Sequence, residues 1–271
     1  KYGTALPAVQ AGRPHHTRMG ACRANPACRL TPLPAMIGRI PDAVLSMLTD
    51  KNDLGIHTEM FSDGVLKLAR EGVITGRRKT IDPGKIVGSF AAGSHALFEF
   101  MNDNPQIEMH PSEYTNNPIV ISAHENMVAI NAALEVDLTG QVVADSLGQL
   151  LYSGIGGHAD FIRGAALARN GKPIIAMPST ADVPDENGRV TVKSRIVATL
   201  LEGAGVITTR GDTHYIVTEY GVAYLHGKTM RERGLYIARQ QNSPESSGEG
   251  HARQFGDWLG RMLVPSWSAD F

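Results

Sequence analysis

Cysteine is nearly missing from this sequence: Cys22 and Cys28 are the only two among 271 residues. A disulfide framework is therefore not expected, and a reducing cytoplasm is the expected compartment. Charge of one sign is also lacking, since 26 basic residues stand against 27 acidic ones and leave a net charge of -1. No global field is available to hold nucleic acid or an anionic membrane, so a bound anion must be held locally. No apolar run approaches the length of a membrane span, and the opening "KYGTALPAVQAGRPHHTRMG" lacks the apolar block of a secretory signal. The histidines at 57, 95, 110, 124, 158, 214 and 226 form no H-x-x-x-H pair and have no cysteine partner, so no metal site is expected. There is no G-x-S-x-G elbow to anchor a serine-hydrolase triad, and no glycine cluster has P-loop or dinucleotide spacing.

What is present is enough apolar sequence for a substantial core: 42% hydrophobic residues with 20% charged. Residues 1–34 show neither helical nor strand period and read as an irregular segment. From Ile37 the texture changes. "IGRIPDAVLSMLTDK" reads as a glycine-containing turn feeding a short helix, with Pro41 in a first turn that tolerates it. "DLGIHTE" reads as a strand, and "SDGVLKLAREG" as a helix capped by Ser62 or Asp63 and closed by Gly72. "KIVGSFAAG" is strand-like and "SHALFEFMNDN" helical, while "NPIVISAHENMVAINAALEVDLTGQVVADSLG" reads as mostly strands with a turn at 139–140. A strand in "LLYSGIGG" leads to a helix in "HADFIRGAALARNG"; "KPIIAMPST", "SRIVATL" and "THYIVTEYGVAYLHG" add strands, and "TMRERGLYIAR" begins a last helix. This alternation predicts an α/β domain with a largely parallel sheet flanked by helices, its functional loops at the carboxyl ends of strands. The expected organisation is an irregular segment over 1–34, a catalytic domain over 35–240 and a divergent tail over 241–271.

Glu59, in "GIHTEMFSDGV", falls at the predicted exit of a strand immediately before a helix, where open α/β sheets present reactive side chains. Position alone does not separate a reactive glutamate from a solvated one. "SGIGGHADF" sets three glycines before a helix start, where the backbone can approach a ligand and unpaired N–H groups can meet an oxyanion or a phosphate. An ordinary turn with Asp160 helping to cap the helix reads equally from the same residues. "MIGRIPDA" is a second glycine turn before a helix; Glu219 in "TEYG" ends another predicted strand; Asn116 in "YTNNP" is placed to hydrogen-bond a carboxylate or to serve a turn.

Taken together and in order, "IGRIPDAVL", "GIHTEMFSDGV", "YTNNP", "NAALEVDLTGQV", "GIGGHADFIRGA" and "TEYGVAYLHG" resemble the acetyl-CoA hydrolase/transferase family, in particular its 4-hydroxybutyrate and butyrate CoA-transferases. The resemblance spans residues 35–239. It implies an α/β fold of the CoA-transferase type and a glutamate that attacks an acyl-CoA thioester, giving first an acyl-glutamyl anhydride and then a glutamyl-CoA thioester. The matching glutamate is Glu59; Glu135 in "ALEVDL" is the rival. By the same resemblance Gly157 is an oxyanion-hole donor, Ser153, Gly156 and Gly157 are CoA contacts, and Ile37, Gly38 and Arg39 form the CoA-binding turn. Asn116 and Glu219 are supporting groups.

The chemistry agrees with that assignment. A carboxylate is an anion at neutral pH and needs no separate base to become a nucleophile, which fits the missing triad. The expected activity is CoA transfer between an acyl-CoA and a short-chain carboxylate such as acetate, butyrate or 4-hydroxybutyrate, with acetyl-CoA hydrolysis or CoA binding without turnover as alternatives. No cofactor is expected, CoA being a substrate. The expected partners are those small molecules and further copies of the chain, together with the family's N-terminal domain, which this sequence lacks. Two departures accompany the match: Met36 stands where a first glycine of a G-x-G turn is usual, and the residues after "YIARQQ" do not resemble the family's terminal helix.

Overall fold

A computed structural model describes residues 5–6, 44–46, 48–184 and 188–241. The expected irregular segment and tail thus lie almost wholly outside the described residues, as do Ile37, Gly38 and Arg39 of the second glycine turn. The chain divides into two compact units, one built from residues up to Ala132 plus Tyr152–Ala176, the other from Ala133–Leu151 plus the residues from Met177 onward. Among the described residues no helix is long and apolar enough to cross a membrane.

The first unit carries most of the parallel pairing. Strand β1 (Ala5–Leu6) runs antiparallel to the later strand β7 (Val128–Ala132), which pairs in parallel with β12 (Lys172–Ala176). Strands β2 (Ile56–His57), β4 (Ile86–Gly88) and β6 (Ile107–Met109) form a second parallel sheet, and β3 (Met60–Phe61) pairs in parallel with β5 (Phe90–Ala91). Helix α1 (Asp63–Arg70) buries Val65, Leu66 and Leu68, the spacing that puts one apolar stripe on a helix. Ser62 is its N-cap residue but makes no side-chain cap, and the Asp63 carboxylate instead accepts from the backbone N–H and hydroxyl of Ser94, before helix α2 (His95–Met101). The chain then turns through α3 (Ser112–Thr115) and α4 (Pro118–Ser122). The stretch "NPIVIS" was expected to be strand. It is helical because Asn117 caps it, accepting from Ile119 N–H at 2.9 Å, and Pro118 occupies the first helical position, where its missing N–H costs nothing. Helix α5 (His158–Leu167) packs on this region: Phe161, Ala165 and Ala168 share a buried cluster with Ile121, Met127 and Ala129, and Gly164 admits the Ile121 side chain directly.

The second unit is mostly antiparallel. Strand β8 (Glu135–Asp137) pairs antiparallel with β9 (Val142–Val143) and parallel with β15 (Ile196–Val197). The turn expected at 139–140 is present. Asp137 fastens it by accepting from Thr139 N–H (2.8 Å), the Thr139 hydroxyl (2.6 Å), Gln141 N–H (2.9 Å) and the Gln141 amide (2.6 Å), and Gly140 supplies a φ of 93°. Hairpins β10 (Ser146–Leu147) with β11 (Leu150–Leu151), and β13 (Thr180–Pro184) with β14 (Val190–Ser194), project from this unit. The segment "THYIVTEYGVAYLHG" is a hairpin, β16 (Tyr215–Thr218) and β17 (Gly221–Tyr224), rather than a single strand; Glu219 and Tyr220 make its turn. Helix α6 (Met230–Ala238) starts with a capping box between Thr229 and Glu232. Its Arg233 is buried and donates to the carbonyls of Thr139, Leu225, Arg210 and Thr213, gathering three chain segments onto one guanidinium.

Candidate active site

Glu59 lies between two strands, not between a strand and a helix as the sequence suggests. Strand β2 stops at His57, a local turn links the Thr58 hydroxyl to both the N–H and the carbonyl of Met60, and pairing resumes in β3. The facing chain breaks at the same level, between β4 and β5, where the N–H groups of Ser89 and Phe90 both donate to the Glu59 carbonyl, at 2.9 and 3.1 Å. Its backbone is thereby fixed on the sheet while its half-buried side chain leaves the ladder. A residue at a matched break in two paired strands is directed by backbone bonds alone, which is a more rigid placement than a free loop gives.

The Glu59 carboxylate reaches the start of α5. Its Oε2 accepts from the Gly157 N–H at 2.9 Å, and among the described residues no hydrogen bond reaches Oε1. A methyl group placed on Gly157 would lie 2.8 Å from Asn116 Nδ2 and 2.9 Å from Glu59 Oε2, so the glutamate, the asparagine amide and the glycine converge on one spot. Two glycines of "GIGG" are required for different reasons. Gly156 adopts a φ of 56°, which side chains with a Cβ rarely take. Gly157 has an ordinary φ of -80° and is needed because there is no room for a side chain. The positive end of the α5 dipole also favours an anion here, by about 0.3–1 kcal/mol.

Two adjacent asparagines divide the work in "YTNNP". Asn117, next to the proline, is the helix cap; Asn116 Nδ2 and Glu59 Oε2 both lie around Gly157, and Asn116 Oδ1 accepts from the Thr115 hydroxyl at 3.1 Å. Asp160, in the first turn of α5, does not act as a cap: Gly157 holds the N-cap position. Its carboxyl is half-buried, and burial first, then the Glu59 charge, raises its pKa against the opposing pull of Arg163. Ser153 is half-buried and its hydroxyl donates to the carbonyl of Gly154 at 3.1 Å.

The structure brings Glu59, Asn116 and Gly157 together in the first unit. Glu219 belongs to the second, where it accepts from Ser179 N–H with both oxygens (2.9 and 3.2 Å) and from the Ser179 hydroxyl at 2.7 Å. Burial raises its pKa, but hydrogen bonds from its own N–H and from Ser179, aided by the Arg195 charge, outweigh that and leave it below the ordinary value. The rival Glu135 is also in the second unit. It is buried, its Oε2 accepts from Leu201 N–H at 3.0 Å, and burial raises its pKa. No sequence pattern marks Ser89, Thr115 or Ser179, and His57 enters there only as one of the scattered histidines. Only burial and long-range bonds distinguish them, and no spacing in the sequence encodes those.

The acetyl-CoA hydrolase/transferase C-terminal domain profile matches residues 93–239, which include Asn116, Ser153, Gly156, Gly157 and Glu219. A 4-hydroxybutyrate coenzyme A transferase of Clostridium kluyveri is 52% identical over 197 residues, covering 73% of this chain and 44% of that protein. Among solved structures, RipA from Yersinia pestis superposes with a TM-score of 0.73 at 38% identity, covering 86% of this chain and 49% of RipA. A 4-hydroxybutyrate CoA-transferase from Porphyromonas gingivalis superposes with a TM-score of 0.67 at 39% identity, covering 86% of this chain and 51% of that one. The chain therefore spans about half the length of the relatives it matches. With the family profile matched over more than half of its residues, and with the α/β fold of these structures, the chain belongs to the acetyl-CoA hydrolase/transferase family.

Proposed function

We propose that this chain carries the nucleophilic glutamate of a CoA-transferase and that the glutamate is Glu59. The observation that supports this most is its carboxylate geometry: Oε2 held by the Gly157 N–H, the Asn116 amide beside it, and no hydrogen bond among the described residues on Oε1. In this reading Oε1 attacks the thioester carbon of an acyl-CoA, CoA leaves as a thiolate, and an acyl-glutamyl anhydride forms. The thiolate then attacks the glutamyl carbon, and the acyl group departs as a carboxylate, leaving a glutamyl-CoA thioester. A carboxylate acceptor runs the sequence in reverse.

The position of the Gly157 N–H sharpens the role expected for the glycine turn. It serves the oxygen of the glutamate itself, so the charge it stabilises best is the oxyanion that appears on Oε2 when the thiolate or the acceptor adds to the glutamyl carbon. A donor of this kind contributes roughly 3 kcal/mol of transition-state stabilisation in other enzymes. Asn116 is placed to add a second donor at the same oxygen. Ser153, with Ile37, Gly38 and Arg39, would contact the CoA, and Glu219 would support the site. Short-chain carboxylates are the proposed acceptors, and water in their place would make the same intermediate a hydrolase.

Because the chain spans only part of its relatives, covalent capture tests the glutamate more directly than turnover does. Incubation with a panel of short acyl-CoAs, followed by intact-mass and peptide mass spectrometry, should show a CoA adduct on Glu59 that Glu59→Gln abolishes. Absence of any adduct, or its persistence in that variant, overturns the assignment. Thioester loss measured with and without acetate separates transfer from hydrolysis.

A further inference from the structure

Ser89, Thr115 and His57 link the Glu59 backbone to the Asn116 amide. The Ser89 N–H donates to the Glu59 carbonyl at 2.9 Å, and the Ser89 hydroxyl lies 2.5 Å from the hydroxyl of Thr115. The Thr115 hydroxyl donates to Asn116 Oδ1 at 3.1 Å, and since a hydroxyl has a single proton, Ser89 must be the donor in the short contact. At its backbone end, the Thr115 carbonyl lies 2.9 Å from His57 Nε2. A carbonyl only accepts, which fixes the ring proton on Nε2.

The anchor is rigid. His57 is fully buried, its ring packed at 4.7 Å from that of His124, 5.9 Å from Tyr114 and 6.3 Å from Phe161. Burial, with the Lys79 charge, pushes its pKa down to about 4 against the opposing bond to Thr115, so the ring stays neutral near neutral pH and keeps the donor on Nε2. Thr115 is likewise fully buried.

We infer that Thr115, held by His57 at its carbonyl and by Ser89 at its hydroxyl, is a positioning residue that orients the Asn116 amide with Nδ2 toward the Glu59 carboxylate. This rests on the proposed role of Glu59. The amide of an asparagine is nearly symmetric in shape, so nothing but hydrogen bonding decides which end faces the carboxylate. With Thr115 donating to Oδ1, the N–H groups point to where an oxyanion would form; with that donor removed, the two orientations compete. Ser89 ties the same chain to the glutamate backbone, so the nucleophile and the donor are set in register by one three-residue connection.

The test compares Thr115→Val, which keeps the shape and removes the hydroxyl, with Thr115→Ser, which keeps the hydroxyl. Thr115→Val should slow CoA-adduct formation on Glu59 by about 10- to 100-fold, somewhat less than loss of an oxyanion donor itself, without moving the acyl-CoA concentration at half saturation. Thr115→Ser should restore most of the rate. A second readout does not depend on reaction: the side-chain amide resonances of Asn116 in asparagine-labelled protein should shift and exchange faster in Thr115→Val, and return toward wild type in Thr115→Ser. Unchanged resonances in Thr115→Val overturn the inference, and so does a shifted amide with an undiminished rate. Wild-type protein that forms no adduct defeats the nucleophile assignment alone, and the resonances still decide whether Thr115 holds Asn116.

Discussion

Among the described residues the Glu59 carboxylate accepts one hydrogen bond, from the Gly157 N–H to Oε2, whereas both carboxylate oxygens of Glu219 accept from the N–H and hydroxyl of Ser179. Both glutamates stand at the end of a strand, and from sequence they look alike. The structure separates them by what each has left to offer. Each hydrogen bond a carboxylate oxygen accepts draws charge from the lone pairs that would attack a carbon, so an oxygen that accepts none is the better nucleophile. The partner of Glu219, Ser179, is fully buried, so that pairing also closes a backbone donor that would otherwise be stranded. The difference teaches that two carboxylates at similar strand ends can sit in quite different hydrogen-bond surroundings, and the proposed nucleophile is the one with fewer bonds.

The sharpest way to press on this contrast is Gly157→Ala. The backbone φ of -80° suits alanine, so the fold should survive with little change in melting temperature. The new methyl, however, would stand under 3 Å from both Asn116 Nδ2 and Glu59 Oε2, and must push one of them aside. Adduct formation measured in a single turnover should fall by about 10²- to 10³-fold, the loss seen when an oxyanion donor is misplaced. A rate within a few-fold of wild type would mean that the convergence on Gly157 has no part in the chemistry.

Glu219 should show its pairing with Ser179 in stability, whatever its support of the site adds to the rate. Glu219→Ala leaves the buried Ser179 N–H and hydroxyl without their acceptor, at a cost of about 1–3 kcal/mol in urea unfolding. Glu219→Gln, which keeps an acceptor oxygen, should lose less. The pH dependence has a definite sign. The folded pKa of Glu219 lies below its ordinary value, so its contribution is fully present above the unfolded value and is lost as pH falls through the folded one. Glu219→Gln should therefore flatten the acid side of the stability profile, and a profile identical to wild type would show that the pairing with Ser179 is energetically idle.

The sequence made parts of this site legible and hid others for physical reasons. Local pattern made Glu59 and Gly157 candidates only, a carboxylate at a strand exit and a glycine cluster before a helix, and the ordered resemblance to the family singled them out. Their contact was not legible, since it joins residues 98 positions apart. The alternation of strands and helices was readable where turn residues punctuate it, as at Thr139–Gly140 and Thr229, where capping follows from neighbours in the chain. It failed at Pro118–Ser122, where β-branched residues suggested a strand and the cap from Asn117 with proline at the first position decided for a helix. It failed again at Glu59, because a break in strand pairing depends on the facing chain at Ser89 as much as on the residues that break. His57 reads only as one scattered histidine and Thr115 carries no signal: a buried histidine and a buried threonine acquire meaning only from what folds against them.

Ser153 makes the smallest demand on the contrast between reactive and structural groups, and for that reason it calibrates the rest. Its hydroxyl donates only to the carbonyl of the next residue, Gly154, whose own surroundings are open. Water replaces such a bond readily, so Ser153→Ala should change unfolding free energy by no more than about 0.5 kcal/mol. If the hydroxyl contacts CoA in the proposed reaction, the same variant should raise the acyl-CoA concentration needed for half-maximal labelling by about 2- to 10-fold, the weight of one neutral hydrogen bond, while the maximal labelling rate stays put. A fall in the maximal rate instead would move Ser153 from the binding surface to the chemistry at Glu59, and would require the "GIGG" turn to be read as one unit rather than as a donor with a neighbouring contact.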